Sequence, residues 1–150
     1  MIPVRAKPVK IGEAWMELDV GQTAFREAKV TEEMVRGYAE ITGDYNPLHF
    51  DEDFTSRTRF GQLMAQGGIT TGLLHAMVAM DMPGPGTVFM NQRWDFPRPV
   101  YIGDTIRAKG TVKSVHPTRP IAEIEFSVKN QDGETVLEGG ATVYQAEPRT

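Results

Sequence analysis

LMAQGGITTGLLHAMVAM, Leu63 to Met80, is eighteen residues without a formal charge. That length marginally matches a membrane span, but the stretch carries Gln66, Thr70, Thr71, His75 and three glycines. A lipid-facing helix would have to desolvate those polar groups. The alternative is a helix buried inside a folded protein. Gly67 and Gly68 mark a place for it to begin, and Ile69, Leu73, Leu74, Met77 and Met80 follow at helical spacing. Ala76, Val78 and Ala79 fill its other sides, so it is apolar nearly all round, the mark of an element surrounded by structure. Pro83 and Pro85 end it.

Downstream the apolar spacing changes from the helical period to the two-residue period of strands. Thr87 to Phe96, Thr105 to Val115, Ile121 to Lys129 and Glu134 to Gln145 read as four strands. In the third, Ala122, Ile124, Phe126 and Val128 alternate with Glu123, Glu125, Ser127 and Lys129, which predicts one buried face and one wet face. Asn130-Gln131-Asp132-Gly133 supplies the turn into the last strand. Upstream, residues 1–22 read as an extended arm with a short strand near Trp15 to Leu18, followed by a strand over Thr23 to Val30. Thr31 is a helix cap, Glu32 and Glu33 suit a first turn, and Met34, Val35, Tyr38 and Ile41 form the expected apolar stripe. Gly43 stops that helix, Asp44 to Phe50 is predicted as a loop, and Asp51 caps a helical turn to Thr55. Helices followed by consecutive strands with short connections give an α+β class, with an antiparallel sheet curling around the central helix. Residues 23–150 are expected to form one domain.

The bulk numbers agree with a globular chain. At 150 residues one core suffices, and roughly 68 to 70% of the unfolded surface can be buried. Hydrophobic residues make up 40% and charged residues 24%, far from the composition of disorder. A net charge of −4 gives no electrostatic footprint for nucleic acid. The absence of cysteine excludes disulfides, thiolate catalysis and cysteine-held metals, and fits a reducing compartment. Met1 to Lys10 has no apolar run after its basic residues, so no secretory signal is expected and the cytoplasm is the predicted location.

The residues with chemical potential cluster in Gly43-Asp44-Tyr45-Asn46-Pro47-Leu48-His49. Asn46-Pro47 stiffens the chain between a carboxylate and an imidazole, the acid and base groups that proton transfer needs in fixed positions. Taken alone, the same residues describe a helix-stop turn with an exposed histidine. The second signal is Gln66-Gly67-Gly68 at the predicted helix start. Open backbone N–H groups and the positive end of the dipole meet there, and could stabilise an oxyanion. Close packing of the glycines against the sheet is the structural alternative. His75 lies a little over two turns beyond Gly67, where a core histidine is the commoner explanation. His116 precedes Pro117 in a strand connection and reads as exposed. His49, Asp51 and Asp53 could suggest a metal, but an acidic helix start accounts for the two aspartates and no metal is expected.

Tyr38 to His49, Y-x-x-I-T-G-D-Y-N-P-L-H, followed by F-D-E-D-F, F-G-Q-L-M-A-Q-G-G and F-P-R-P-V-Y-I-G-D-T-I, resembles the MaoC-like dehydratases, the (R)-specific enoyl-CoA hydratases of the hotdog fold. The likeness runs in order from about Thr23 to Tyr144. It implies a hotdog fold and addition or removal of water at the 2,3 double bond of an acyl-CoA thioester. It also implies a homodimer or dimer of dimers with substrate in a tunnel where protomers meet. Coenzyme A enters as part of the substrate, and no further cofactor is implied. The family's catalytic aspartate falls on Asp44, its catalytic histidine on His49, and the glycine that polarises the thioester carbonyl on Gly67. Asn46, Gln66, Gly68 and His75 are the expected substrate-side positions. Gln66 stands where the family usually has histidine, and His75 where a small hydroxyl residue is common. Two other functions share the resemblance's fold or substrates: a hotdog thioesterase and a non-catalytic acyl-CoA binding subunit. Arg57, Arg59, Arg93 and Arg98 are either phosphate contacts for coenzyme A or simply solvated.

Overall fold

The structure is a computed structural model and describes residues 18–146. The short strand expected near Trp15 therefore lies outside the described residues. In chain order the elements are β1 (Thr23–Lys29), α1 (Glu32–Thr42), α2 (Pro47–Phe50), α3 (Glu52–Ser56) and α4 (Gly67–Met80), followed by β2 (Thr87–Asp95), β3 (Thr105–Val115), β4 (Ile121–Lys129) and β5 (Thr135–Gln145). The four expected strands and the central helix fall within about a residue of the sequence reading.

The strands form one sheet in the order β1-β3-β4-β5-β2, antiparallel at every pairing. The alternation read in β4 sends Ala122, Ile124, Phe126 and Val128 inward. They meet Ile106, Ala108 and Val112 of β3 and Ala141 and Val143 of β5. Leu74, Met77 and Val78 of α4 join the same cluster. The sheet and helix approach closely at Gly110, where a Cβ would stand 3.0 Å from the Met77 sulfur. Register shifts at Phe89/Asn91, Val112/Ser114 and Val128/Lys129 add twist and curl the sheet around α4. This is the hotdog arrangement. No helix among the described residues is long and apolar enough to cross a membrane.

Two expectations need correction. The buried line of α1 runs through Val35 and Ala39, while Ile41 is 83% exposed. The small side chain of Ala39 allows the close approach, which turns Ile41 away from the core. The stretch from Asp44 to Phe50 is not loop throughout, since Pro47–Phe50 forms a helical turn. Proline at its first position costs no hydrogen bond there, and Asn46 caps it.

The far end of α4 is tied to the sheet by an ion pair. Arg26 of β1 donates from Nη1 to both carboxylate oxygens of Asp81, at 3.1 and 2.9 Å. The Asp81 side chain is only 4% exposed and that of Arg26 26%. Removing the guanidinium strands a buried carboxylate, so Arg26→Ala is expected to cost about 2 to 4 kcal/mol, measured as a lower urea midpoint at pH 7. An unchanged midpoint would show that the pair does not anchor the helix.

Candidate active site

The geometry of the carboxylate and imidazole is built residue by residue from the end of α1. Gly43 closes the helix in the left-handed region, its N–H donating to Ala39 O at 2.8 Å. Thr42 Oγ1 donates to Tyr38 O at 2.6 Å and accepts from Asp44 N–H at 3.2 Å. Asp44 Oδ1 accepts from Asn46 N–H at 3.3 Å, and Asn46 Oδ1 accepts from Leu48 N–H at 3.1 Å. The His49 N–H then donates to Asn46 O at 2.9 Å. Asn46 thus positions His49 through the backbone of α2, each bond holding the next residue in place.

The His49 ring is buried, with its side chain 8% exposed, and its Nδ1 lies 2.7 Å from Met64 O. A carbonyl oxygen can only accept, so Nδ1 carries a proton, and in the neutral tautomer the lone pair lies at Nε2. Nε2 faces Asp44 Oδ2 at 3.9 Å, and the Asp44 side chain is 41% exposed. That gap is too long for a direct hydrogen bond and suits a single bridging water. Both groups facing the gap accept hydrogen bonds, so a water held there would direct both of its protons at the pair and its oxygen lone pairs outward.

The second half of the site is the beginning of α4. Gln66 is the N-cap residue but makes no side-chain cap, leaving the first N–H groups of α4 open. Its side chain is instead buried and turned to α1, where Nε2 donates to Val35 O at 3.0 Å. Gln66 Oε1 is buried without a hydrogen-bond partner. Gly68 lies against Tyr38, whose hydroxyl and ring occupy the space a Cβ would need. Gly67 opens onto a cavity of about 290 Å³, lined also by Met64, Thr70 and Phe96. His49 borders a different cavity, with Val35 and Leu63. Met64 links the two, holding His49 with its carbonyl and lining the cavity of Gly67.

His75 is exposed on α4, 4.5 Å between ring centroids from Phe89. Its Nε2 meets Gln92 Nε2 at 2.9 Å, while Trp94 Nε1 donates to Gln92 Oε1 at 3.0 Å. Because indole only donates, it fixes the amide so that the NH₂ group faces His75, whose Nε2 must then accept. His116 Nδ1 accepts from the N–H groups of Thr118 and Arg119 at 3.1 and 3.0 Å and builds an exposed turn. The residues of the H-x-D-x-D string do not converge. Asp51 caps α3 through Phe54 N–H, and Asp53 pairs with Arg57 at 3.0 Å. Among the described residues no group of three His, Asp or Glu is placed to hold a metal.

Sequence reasoning missed Tyr38 packed on Gly68, Phe96 beside Gly67 and the Gln92-Trp94 partners of His75. Each joins segments remote in the chain, and only the strand register could have signalled Gln92 and Trp94, two residues apart on one face of β2.

Comparison with known proteins adds the family. The profile described as a MaoC like domain matches residues 18–134. A 3-hydroxybutyryl-CoA dehydratase of Methylorubrum extorquens is 40% identical over 85% of this chain and 80% of its own length. An (R)-specific enoyl-CoA hydratase of Rhodospirillum rubrum is 32% identical, covering 85% of this chain and 88% of its own. Among solved structures, an (R)-hydratase from A. caviae superposes with a TM-score of 0.83 at 28% identity, over 87% of this chain and 98% of that one. With the fold, the ordered motifs and these relatives in agreement, the chain belongs to the MaoC-like domain family.

Proposed function

We propose that this protein is a hydratase or dehydratase that adds or removes water at the 2,3 double bond of an enoyl-CoA, with Asp44 and His49 as the catalytic pair and the Gly67 N–H as the oxyanion donor. The names of the relatives supply the substrate class and reaction. The observation that carries the assignment to residues is the 3.9 Å gap between His49 Nε2 and Asp44 Oδ2, with the imidazole oriented by Met64 O. In hydration, the oxygen of the held water bonds to the β-carbon while the pair takes one of its protons. The π electrons move toward the thioester oxygen, where the Gly67 N–H and the α4 dipole stabilise the charge. The α-carbon then receives a proton from the pair, so that one water has been added and the pair is restored. Dehydration is the reverse. The step moves a proton and an electron pair without oxidation or reduction, and in this reading it uses no cofactor besides the coenzyme A of the substrate.

A homodimer, or a dimer of dimers, is part of the same reading. The outer side of β2 has no strand partner among the described residues, and Met80, Val88 and Met90 beside it are each more than half exposed. A second copy pairing along that edge would cover them. The cysteine-free sequence favours a reducing compartment, and we place the enzyme in the cytoplasm. A hotdog thioesterase is the weaker reading, because α4 carries no carboxylate to drive hydrolysis.

Asp44→Asn and His49→Ala are each expected to lower kcat/KM for hydration of crotonyl-CoA by roughly 10²-fold or more, read as loss of enoyl absorbance, with circular dichroism unchanged. Near-normal turnover in both variants would remove the mechanism, and release of free thiol would establish the thioesterase. Binding of acyl-CoA by the unaltered chain with no turnover at any chain length would establish a binding subunit.

Gly67→Ala keeps the N–H but places a methyl on the approach to it, 3.3 Å from the Phe96 ring. We expect kcat/KM to fall roughly tenfold or more while the thermal midpoint stays within a few degrees. Full activity in that variant would show that the carbonyl is bound elsewhere.

A further inference from the structure

We propose that Arg59 binds a phosphate of the carrier arm that brings the acyl thioester to Gly67, an inference that rests on the function proposed above. Arginine is suited to this, since its planar fork meets phosphate oxygens in pairs and keeps its charge throughout the neutral range. The structure separates four candidate arginines by what already holds them. Arg57 is paired with Asp53 at 3.0 Å, Arg93 with Glu123 at 3.7 Å and Arg98 with Glu134 at 3.0 Å. Arg59 has no carboxylate partner among the described residues, and its guanidinium lies 5.0 Å from the centroid of the Phe60 ring. Contact with the face of an aromatic ring orients a guanidinium without neutralising it.

Arg59 also stands in the right place. It lines the cavity of about 290 Å³ onto which Gly67 opens. The rest of that wall includes Phe60, Phe96, Pro97 and Pro99, so an uncharged chain can lie along it. A pantetheine arm is such a chain, with a thioester at one end and a phosphate at the other. With the thioester oxygen at the Gly67 N–H, the arm leaves through this cavity and its phosphate emerges on the side where Arg59 is exposed. The volume is close to the lower end, about 300 Å³, of what small-molecule sites occupy, as expected for a site holding only the arm. Coenzyme A and the phosphopantetheine of a carrier protein share this chemistry.

The experiment compares three crotonyl thioesters on the full chain: of coenzyme A, of 4′-phosphopantetheine and of pantetheine, which lacks phosphate. Arg59→Ala is expected to raise KM for crotonyl-CoA roughly tenfold, with kcat within about twofold, and to leave KM for crotonyl-pantetheine unchanged. Arg59→Lys should recover part of the loss, and Arg57→Ala, which removes an already paired surface charge, should change nothing. A loss shared by crotonyl-CoA and crotonyl-phosphopantetheine places the contact on the phosphate common to both sources. A loss with crotonyl-CoA alone places the contact on the outer phosphates of the nucleotide and overturns the proposal. An equal rise in KM for all three thioesters, or no rise for any, overturns the proposal. Failure of the unaltered protein to hydrate any of the three would instead refute the function on which it rests.

Discussion

The hydrogen bond from His49 Nδ1 to Met64 O is the constraint on which the site depends. It crosses from the segment outside the sheet to the chain entering α4, and both ends are otherwise fixed. Met64 N–H donates to Leu48 O at 3.0 Å, and Met64 bridges Tyr101. The next residue, Ala65, donates to Val100 O at 2.8 Å. The carbonyl that orients the imidazole is therefore part of a backbone network whose members are all paired, the condition under which a buried polar contact is rigid rather than costly. One bond sets the tautomer of His49, aims Nε2 at Asp44 and fixes the distance between the imidazole and the first turn of α4.

The central helix holds the other half of the site in place by a different means. Its contact with the sheet is apolar, through Leu74, Met77 and Val78, and apolar packing alone does not fix rotation about or sliding along an axis. Polar ties at both ends do. Gln66 reaches from the N-cap to α1, and Arg26 reaches from β1 to Asp81 at the C-cap. Turning Gln66 toward α1 has a local consequence, since a side chain so engaged cannot cap its own helix. The open N–H groups of Gly67 and Gly68 follow from the way α4 is anchored.

What could be read from the sequence divides along the same line. Strands β3 to β5 were legible because burial on one face shows in each segment by itself, and α4 from its uncharged apolar run, although Gly72, His75 and Met80 on it are exposed rather than surrounded by structure. Thr31 and Gly43 were legible as caps for the same local reason. α2 was not, because a four-residue helix has no period. It exists through the Asn46 cap, the Pro47 geometry and the hold of Met64 on His49. The exposure of Ile41, the burial of Gln66 and the Arg26 to Asp81 pair, which spans 55 positions, all depend on partners remote in sequence. Asp44 and His49 were found through their motif, whereas their separation and the His49 tautomer required the fold.

The polar side chain of His75 is held by neighbours on β2. Trp94 fixes the Gln92 amide, the amide donates to His75 Nε2, and the imidazole rests on Phe89. In the neutral ring this contact assigns the lone pair to Nε2 and the proton to Nδ1. Near the other end of α4 the logic is reversed: among the described residues His49 Nε2 and the N–H groups of Gly67 and Gly68 keep no hydrogen-bond partner, and neither does the buried Gln66 Oε1. In the proposed function, the open His49 Nε2 and Gly67 N–H are the hydrogen-bonding capacity that the water and the thioester oxygen take up.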